Sequence, residues 1–523
     1  MRSLYYAGCI TLILISTVKN GKAEENESSL FYIFSLNNRF EVKRNFLNSD
    51  QLDNLTFSEN STGYYFYAGG SLIWFASDNL NFNLSANTGI VKIKGLYFEN
   101  GETETTINYK PVSDYARDSL FIDELYMEYE NSLQLSVGKK NLSASTDYVF
   151  NDYVFFIKSD FHLYKRQKKR LTLELQYNSI DGYFNTDYKG SPMLTLNLSY
   201  RNGKLFGLSI FSSLFYDNDN AFGKIYESFV DSFLINKVTV SNMDTLKMCS
   251  DKLSECILVD SRGYIIWTGL DLFGKAKGLY YKLVLIGNYG DIDISPYLNV
   301  EGKKVNIYAK KKKAEKLIQY VRDKNGDSSS SEAYTNNEES ILNRYLPSRK
   351  LLGYMFFING GYKLFESLDI SPYFLFMSGE NDLEKSGFLN SFISVKSYIT
   401  LSNIFFSGGL NETASTRNFS MAGVNGKGVI NPGIWLKFNK DELPLKVNFG
   451  IMKFLADAKN VNGKIDYGTE LDFISTYSIL DCMDLSLEID YFIVGNFFRD
   501  EDRGIKNPFK ILLGVNIFLD NLD

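Results

Sequence analysis

Between Leu485 and Ile493 every second residue is apolar (Leu485, Leu487, Ile489, Tyr491, Ile493), while Ser486, Glu488 and Asp490 fall between them. The preceding arm sets Leu471 and Phe473 against Glu470 and Asp472. A period of two marks extended strands, so Gly468 to Phe498 predicts a hairpin with one apolar and one polar face. In a soluble sandwich the apolar face looks into a core; on an outer-membrane barrel it looks at lipid and the polar face lines a lumen.

The same alternation recurs along the chain and predicts eighteen strands. The first nine cover residues 31–45, 63–77, 81–98, 119–129, 133–141, 153–164, 171–180, 193–200 and 205–216. The rest cover 264–273, 279–291, 351–363, 368–377, 429–438, 445–457, the two arms of the hairpin above, and 509–519. Connections after even strands are short: Asp78-Asn79, Glu130-Asn131-Ser132, the basic KRQKKR at Lys165–Arg170, and Arg201-Asn202-Gly203-Lys204, whose Asn-Gly favours a tight hairpin. The long segments 217–262, 292–349 and 378–426 all follow odd strands. Short periplasmic turns and long extracellular loops are the asymmetry of bacterial barrels, and an even strand number leaves both termini periplasmic. The predicted fold class is therefore all-β, a transmembrane antiparallel β-barrel. Within 292–349, Leu317, Ile318 and Val321 are spaced for one helix face, and the neighbouring lysines read as its solvated side rather than as an electropositive lid. The 378–426 loop holds only short alternating stretches, which are not counted as spanning strands.

Composition agrees with strands. Aromatics reach 15%, with 36 Tyr and 41 Phe against 8 Pro. A mean hydropathy of -0.18 is too polar for a helical membrane protein but suits strands whose two faces average out. The net charge of -6 gives no sign of nucleic-acid binding. Arg2 precedes an apolar run from Leu4 to Val18, and Gly21-Lys22-Ala23 offers a cleavage site, so residues 1–23 read as a secretory signal. The run follows Cys9, which argues against lipidation there. Residues 24–523 are then the barrel, exported to the cell outer membrane. Cys249 and Cys256 are the disulfide candidates in an oxidising compartment, and Cys482 reads as a lone thiol.

Four segments resemble the alginate export family of outer-membrane channels. They are ELYMEYENSLQLSVGKKNL (Glu124–Leu142), ISPYFLFMSGE (Ile370–Glu380), GVINPGIWLKF (Gly428–Phe438) with VNFGIMKFLAD, and GTELD (Gly468–Asp472) with DYFIVGNFF. The resemblance implies an eighteen-stranded monomeric barrel with a lid system, whose relatives export anionic polysaccharide or pass small solutes. The chain departs from the family pattern at Lys139-Lys140, at Glu380 in place of Asp, and at its LDNLD end. The last of these bears on recognition by the barrel assembly machinery.

Chemistry is sparse. With His162 the single histidine, a two-histidine or histidine-cluster metal site is excluded, and no nucleophile elbow or phosphate loop is present. Neither an enzyme nor a cofactor is expected. Alternation places Arg39, Lys43, Lys140, Lys282, Lys437 and Lys446 in the lumen, with Glu41, Glu124, Glu128, Glu174, Glu470, Asp472, Glu488 and Asp490. Charges of this kind either select ions or merely solvate a wide lumen. Lys139 falls on the lipid side by strict parity unless a bulge intervenes. The expectation is a passive channel for a hydrophilic solute, anionic or saccharide in the family-based version, set among outer-membrane lipid and lipopolysaccharide. The alternative is a structural or adhesive barrel whose long loops bind a partner. An energised receptor would need a plug ahead of the first strand, and the sequence leaves little room for one.

Overall fold

The computed structural model describes residues 29–47, 57–87, 90–94, 106–110, 121–131, 133–144, 146–180, 191–203, 205–217, 257–300, 303–306, 349–365, 367–380, 388–395, 399–406, 419–440, 443–460, 463–498 and 506–520. The signal segment, Cys249, Cys256 and the predicted helix around Leu317 lie outside these residues. Eighteen strands form the wall. They are β1 (Ser29–Leu47), β2 (Phe57–Ser77), β3 (Leu80–Asn87), β4 (Phe121–Glu130), β5 (Leu133–Ala144), β6 (Thr146–Arg166), β7 (Lys169–Ile180), β8 (Ser191–Asn202) and β9 (Phe206–Asp217). The circuit continues with β10 (Ile257–Ala276), β11 (Leu279–Val300), β12 (Arg349–Leu364), β13 (Leu368–Met377), β14 (Val429–Asn439), β15 (Leu445–Leu455), β16 (Asp466–Leu480), β17 (Met483–Val494) and β18 (Phe509–Asp520).

Each strand pairs antiparallel with the next, and β18 returns to β1 in an unbroken register from Ile33↔Asp520 to Arg44↔Phe509. Closure leaves no free edge in the wall. β1 begins and β18 ends at the rim that carries the short turns. The exterior is apolar strand after strand: Leu125, Ile157, Leu194, Ile210, Leu285, Tyr354, Ile451, Leu485 and Leu513 are all exposed. Such a continuous apolar belt is stable only against lipid, so the fold is a transmembrane barrel.

Three boundaries differ from the sequence reading. β10 and β11 run past the predicted limits into the 217–262 and 292–349 segments, where Ile257–Arg262 pairs with Asp293–Leu298 as a two-stranded ribbon. The predicted third strand is divided: Leu80–Asn87 sits between β2 and β4, whereas Ile90–Lys94 stays on β2 but takes Thr106–Lys110 as its other neighbour. β6 starts at Thr146 because Ser143 pairs with Asn151 and Ala144 with Thr146, which loops 147–150 out of register. Val149 and Phe150 within that bulge are fully buried.

Between β9 and β14 aromatic rings repeatedly cover a glycine directly across the strand pair: Phe273 over Gly207, Phe211 over Gly269, Tyr280 over Gly361 and Tyr373 over Gly433. The absent Cβ is the space the ring fills, which pins register while thinning the wall's inner side.

Candidate functional site

The charged residues assigned to the lumen share strand parity with buried or inward-paired positions, Lys140 opposite buried Val154 and Asp472 opposite buried Asp490 among them. Lys139 pairs with Leu125 in an uninterrupted β4–β5 register, so it shares the outward face and no bulge turns it inward. The inward residues fall into separate groups. On β1, Lys43 meets Glu41 at 3.2 Å, and Arg39 donates to Asn37 at 3.0 Å. On β4 and β5, Lys140 lies 3.4 Å from Glu128 and 4.2 Å from the Tyr126 ring centroid, while Glu124 accepts the Asn141 N–H. On β6 and β7, Lys158 joins Glu174 at 2.9 Å and Asp160 at 3.7 Å. Lys282 on β11 faces Asp271 at 3.8 Å, and Lys437 and Lys446 are exposed near the short-turn rim.

The four acids of the opening hairpin are different. Glu470, Asp472 and Asp490 are fully buried. They are covered by the loop between β13 and β14, which folds into the lumen and binds them through its backbone. Glu470 accepts the N–H groups of Asn403 (2.8 Å), Ile404 (2.7 Å) and Phe405 (2.9 Å). Asp472 accepts a second bond from the Asn403 N–H at 3.2 Å, and the Asn403 amide donates to Asp490 at 3.0 Å. Lys510 on β18 closes the group, paired with Glu488 and lying 3.3 Å from Asp490. The strand register makes this a row: Lys43 is opposite Lys510, Lys510 opposite Asp490, and Asp490 opposite Asp472. Glu470, Asp472 and Asp490, expected among the residues lining the lumen, therefore lie beneath the loop. A buried carboxylate needs donors, and the inserted loop supplies them.

This inserted strap is anchored at three further places. Ser378 accepts the Tyr354 N–H and donates to the Asn390 carbonyl, and Glu380 accepts the Asn390 N–H at 2.7 Å. Trp267 on β10 donates to the Ile393 carbonyl at 2.8 Å, and Asn288 on β11 accepts the Ile393 N–H. A small hairpin, Ile393–Val395 with Phe419–Met421, reaches β6. At the far end Phe405 stacks on Phe454 at 4.2 Å and lies 5.3 Å from Tyr467. The strap thus crosses from β6 to β16, nearly opposite sides of the circuit.

Its apolar residues Leu389, Phe392, Ile399, Ile404, Phe405 and Phe406 are buried against inward side chains such as Ile265, Trp267, Leu351, Met355 and Leu375. The lumen is consequently two-sided. One half is an internal hydrophobic core; the other, on β18, β1 and β4–β7, carries most of the charged groups that the strap does not cover. Asp147, Tyr148, Lys282, Phe357, Asn359 and Ile399–Leu401 line a half-open pocket of about 250 Å³.

Sequence reasoning missed Asn403, Lys158, Asp271 and Lys510. Lys510 follows the alternation of its own strand, inward beside outward Ile511 and Leu513, and parity would have found it. Asn403 carries no such signal. Among the described residues no three His, Cys, Asp or Glu side chains are arranged to hold a metal ion.

Several solved structures share the fold, an outer membrane protein and a porin among them. The chain is similar to OccAB1 of Acinetobacter baumannii (10% identity, 96% of this chain and 99% of that one, TM-score 0.49). It is likewise similar to a BenF-like porin of Pseudomonas fluorescens Pf-5 (8%, 95% and 100%, 0.47) and to OprD of Pseudomonas aeruginosa (10%, 96% and 96%, 0.43). No protein-family model matches the sequence, and no curated protein is similar to it.

Proposed function

We propose that the protein is a passive outer-membrane channel for a small hydrophilic solute, narrowed by the inserted strap. The observation that carries this reading is the division of the lumen. A barrel built only as a scaffold has no need to keep Arg39, Glu41, Lys43, Lys140, Lys158 and Glu174 along one inner wall while filling the other. Both signs of charge alternate along that wall, as Lys43 with Glu41 and Lys158 with Glu174. Neighbouring opposite charges give a polar track that hydrates a solute without holding it. Such a track favours small charged or zwitterionic solutes over a polyanion, so export of an anionic polysaccharide, which the alginate export resemblance implies, is the less favoured version. The export signal and the short-turn asymmetry support the outer membrane of a double-membraned bacterium, with the short turns in the periplasm.

Planar-bilayer recording tests the reading. Purified full-length protein is expected to insert in discrete steps of ion current, with weak preference between cations and anions. No current from the full chain, and none from a form shortened in the 217–262 and 292–349 segments, would leave the adhesive-barrel reading in its place.

A further inference from the structure

The short-turn rim is electrically polarised. Three of four consecutive turns, from β6–β7 to β12–β13, carry exposed Lys165, Arg166 and Lys168–Arg170, then Lys275 and Lys277, then Lys363. None of these forms an ion pair with a described residue. The short turns β16–β17, β2–β3 and β4–β5 present exposed Asp481, Asp78 and Glu130. Solvation alone would not sort the two signs into separate arcs.

The basic arc is also rigidly joined. Gly203 donates its N–H to the Lys168 carbonyl at 2.7 Å, Lys275 to Leu205 at 3.2 Å, and Lys363 to Gly278 at 3.0 Å, so each turn is tied to the next. Gln167, Lys277 and Phe365 hold the left-handed backbone conformation at φ near 50°, which side chains other than glycine's adopt reluctantly. Immediately beside the cations stand exposed apolar side chains, Leu205 at 62% and Phe365 at 87%. The eight strands of the arc span about 34 Å at the usual interstrand spacing, enough for several headgroups side by side.

We propose that this arc, on the β6–β13 side of the short-turn rim, binds anionic phospholipid headgroups of the leaflet it meets. Ammonium and guanidinium groups reach the phosphates while their stems and the flanking Leu205 and Phe365 lie along the acyl boundary. A soluble acidic partner would have no use for those two exposed apolar residues. The inference rests on the transmembrane-barrel reading but not on conduction, so bilayer currents are expected to stay unchanged in the variants below.

Full-length protein in nanodiscs of phosphatidylcholine containing a quarter phosphatidylglycerol, examined by native mass spectrometry, gives the test. Wild type is expected to retain phosphatidylglycerol several-fold above its share of the bilayer. The variant Lys168→Glu/Lys169→Glu/Arg170→Glu is expected to lose that enrichment, and Asp78→Lys/Glu130→Lys to keep it. Heat-modifiable migration on gels confirms that each variant is folded. Equal enrichment in wild type and the triple variant would overturn the proposal. The lipid source is tested separately with Leu205→Ser/Phe365→Ser, expected to weaken retention of phosphatidylglycerol but not binding of heparin to the detergent-solubilised protein. Unaltered lipid retention in that variant would overturn the placement of Leu205 and Phe365 along the acyl boundary.

Discussion

Replacing Glu470 and Asp472 together by alanine is expected to raise single-channel conductance several-fold while the barrel stays folded. Three consecutive backbone N–H groups of the strap end on these two carboxylates. Hydrogen bonds to charged groups are worth about 1.5–3 kcal/mol each, and the donors would be left buried without acceptors. The loss to the strap is therefore about 4.5–9 kcal/mol, enough to shift a local opening equilibrium by more than about three orders of magnitude. Wall pairing is untouched, since the β15–β16 and β16–β17 ladders run through backbone groups. Phe405 against Phe454 opposes release, so the strap is expected to exchange between seated and unseated states, visible as current fluctuations. Limited proteolysis near Asn403 should accelerate in parallel. Unchanged conductance together with unchanged proteolysis would show that the carboxylates do not hold the strap.

The second large effect concerns Lys510. It is the cation that faces both Glu488 and Asp490, and it is itself 8% exposed. The variant Lys510→Met strands two inward carboxylates beside Asp472, and breaking a buried pair in this way costs about 3–5 kcal/mol. Asp490→Asn in the same chain removes one stranded charge and keeps an acceptor for the Asn403 amide, so about half of the loss should return. Denaturant midpoints in micelles measure both. A loss below about 1 kcal/mol would mean that the group behaves as a solvated surface pair.

Much of the wall was legible because alternation is a local property. The strand number, the antiparallel order and the outward set Leu485, Leu487 and Ile489 follow from residues two apart. The identity of the inward face at Glu470 and Asp472 was equally legible. What covers that face was not, since Asn403 reaches Glu470 across 67 residues of chain and an asparagine in a loop has no periodic partner. A usable sign did exist. Gly263–Trp267, Gly353–Ile358 and Pro372–Met377 are apolar on both faces, and a strand of that kind has something packed on each side. With lipid on one side, the other must hold an internal core, here the strap.

Three of the four segments read as resembling the alginate export family contain attachments of the strap, whereas Glu124–Leu142 lies on β4 and β5. Ser378 and Glu380 of SGE hold its base, Asp457 accepts the Gly379 N–H, and GTELD supplies Glu470 and Asp472. Glu470 and Asp472 are thus covered by the loop and do not face a passing solute. That is why solute charge has to be read from the open wall of β18, β1 and β4–β7 instead.

Liposome swelling with the purified wild-type protein tests the central claim most directly, because it asks whether a hydrophilic path passes the seated strap. Proteoliposomes are expected to swell in glycine, arabinose and glutamate, at rates falling steeply with solute size and more steeply than in the Glu470→Ala/Asp472→Ala variant. No swelling in any of these solutes, for wild type and for the variant alike, would contradict the account.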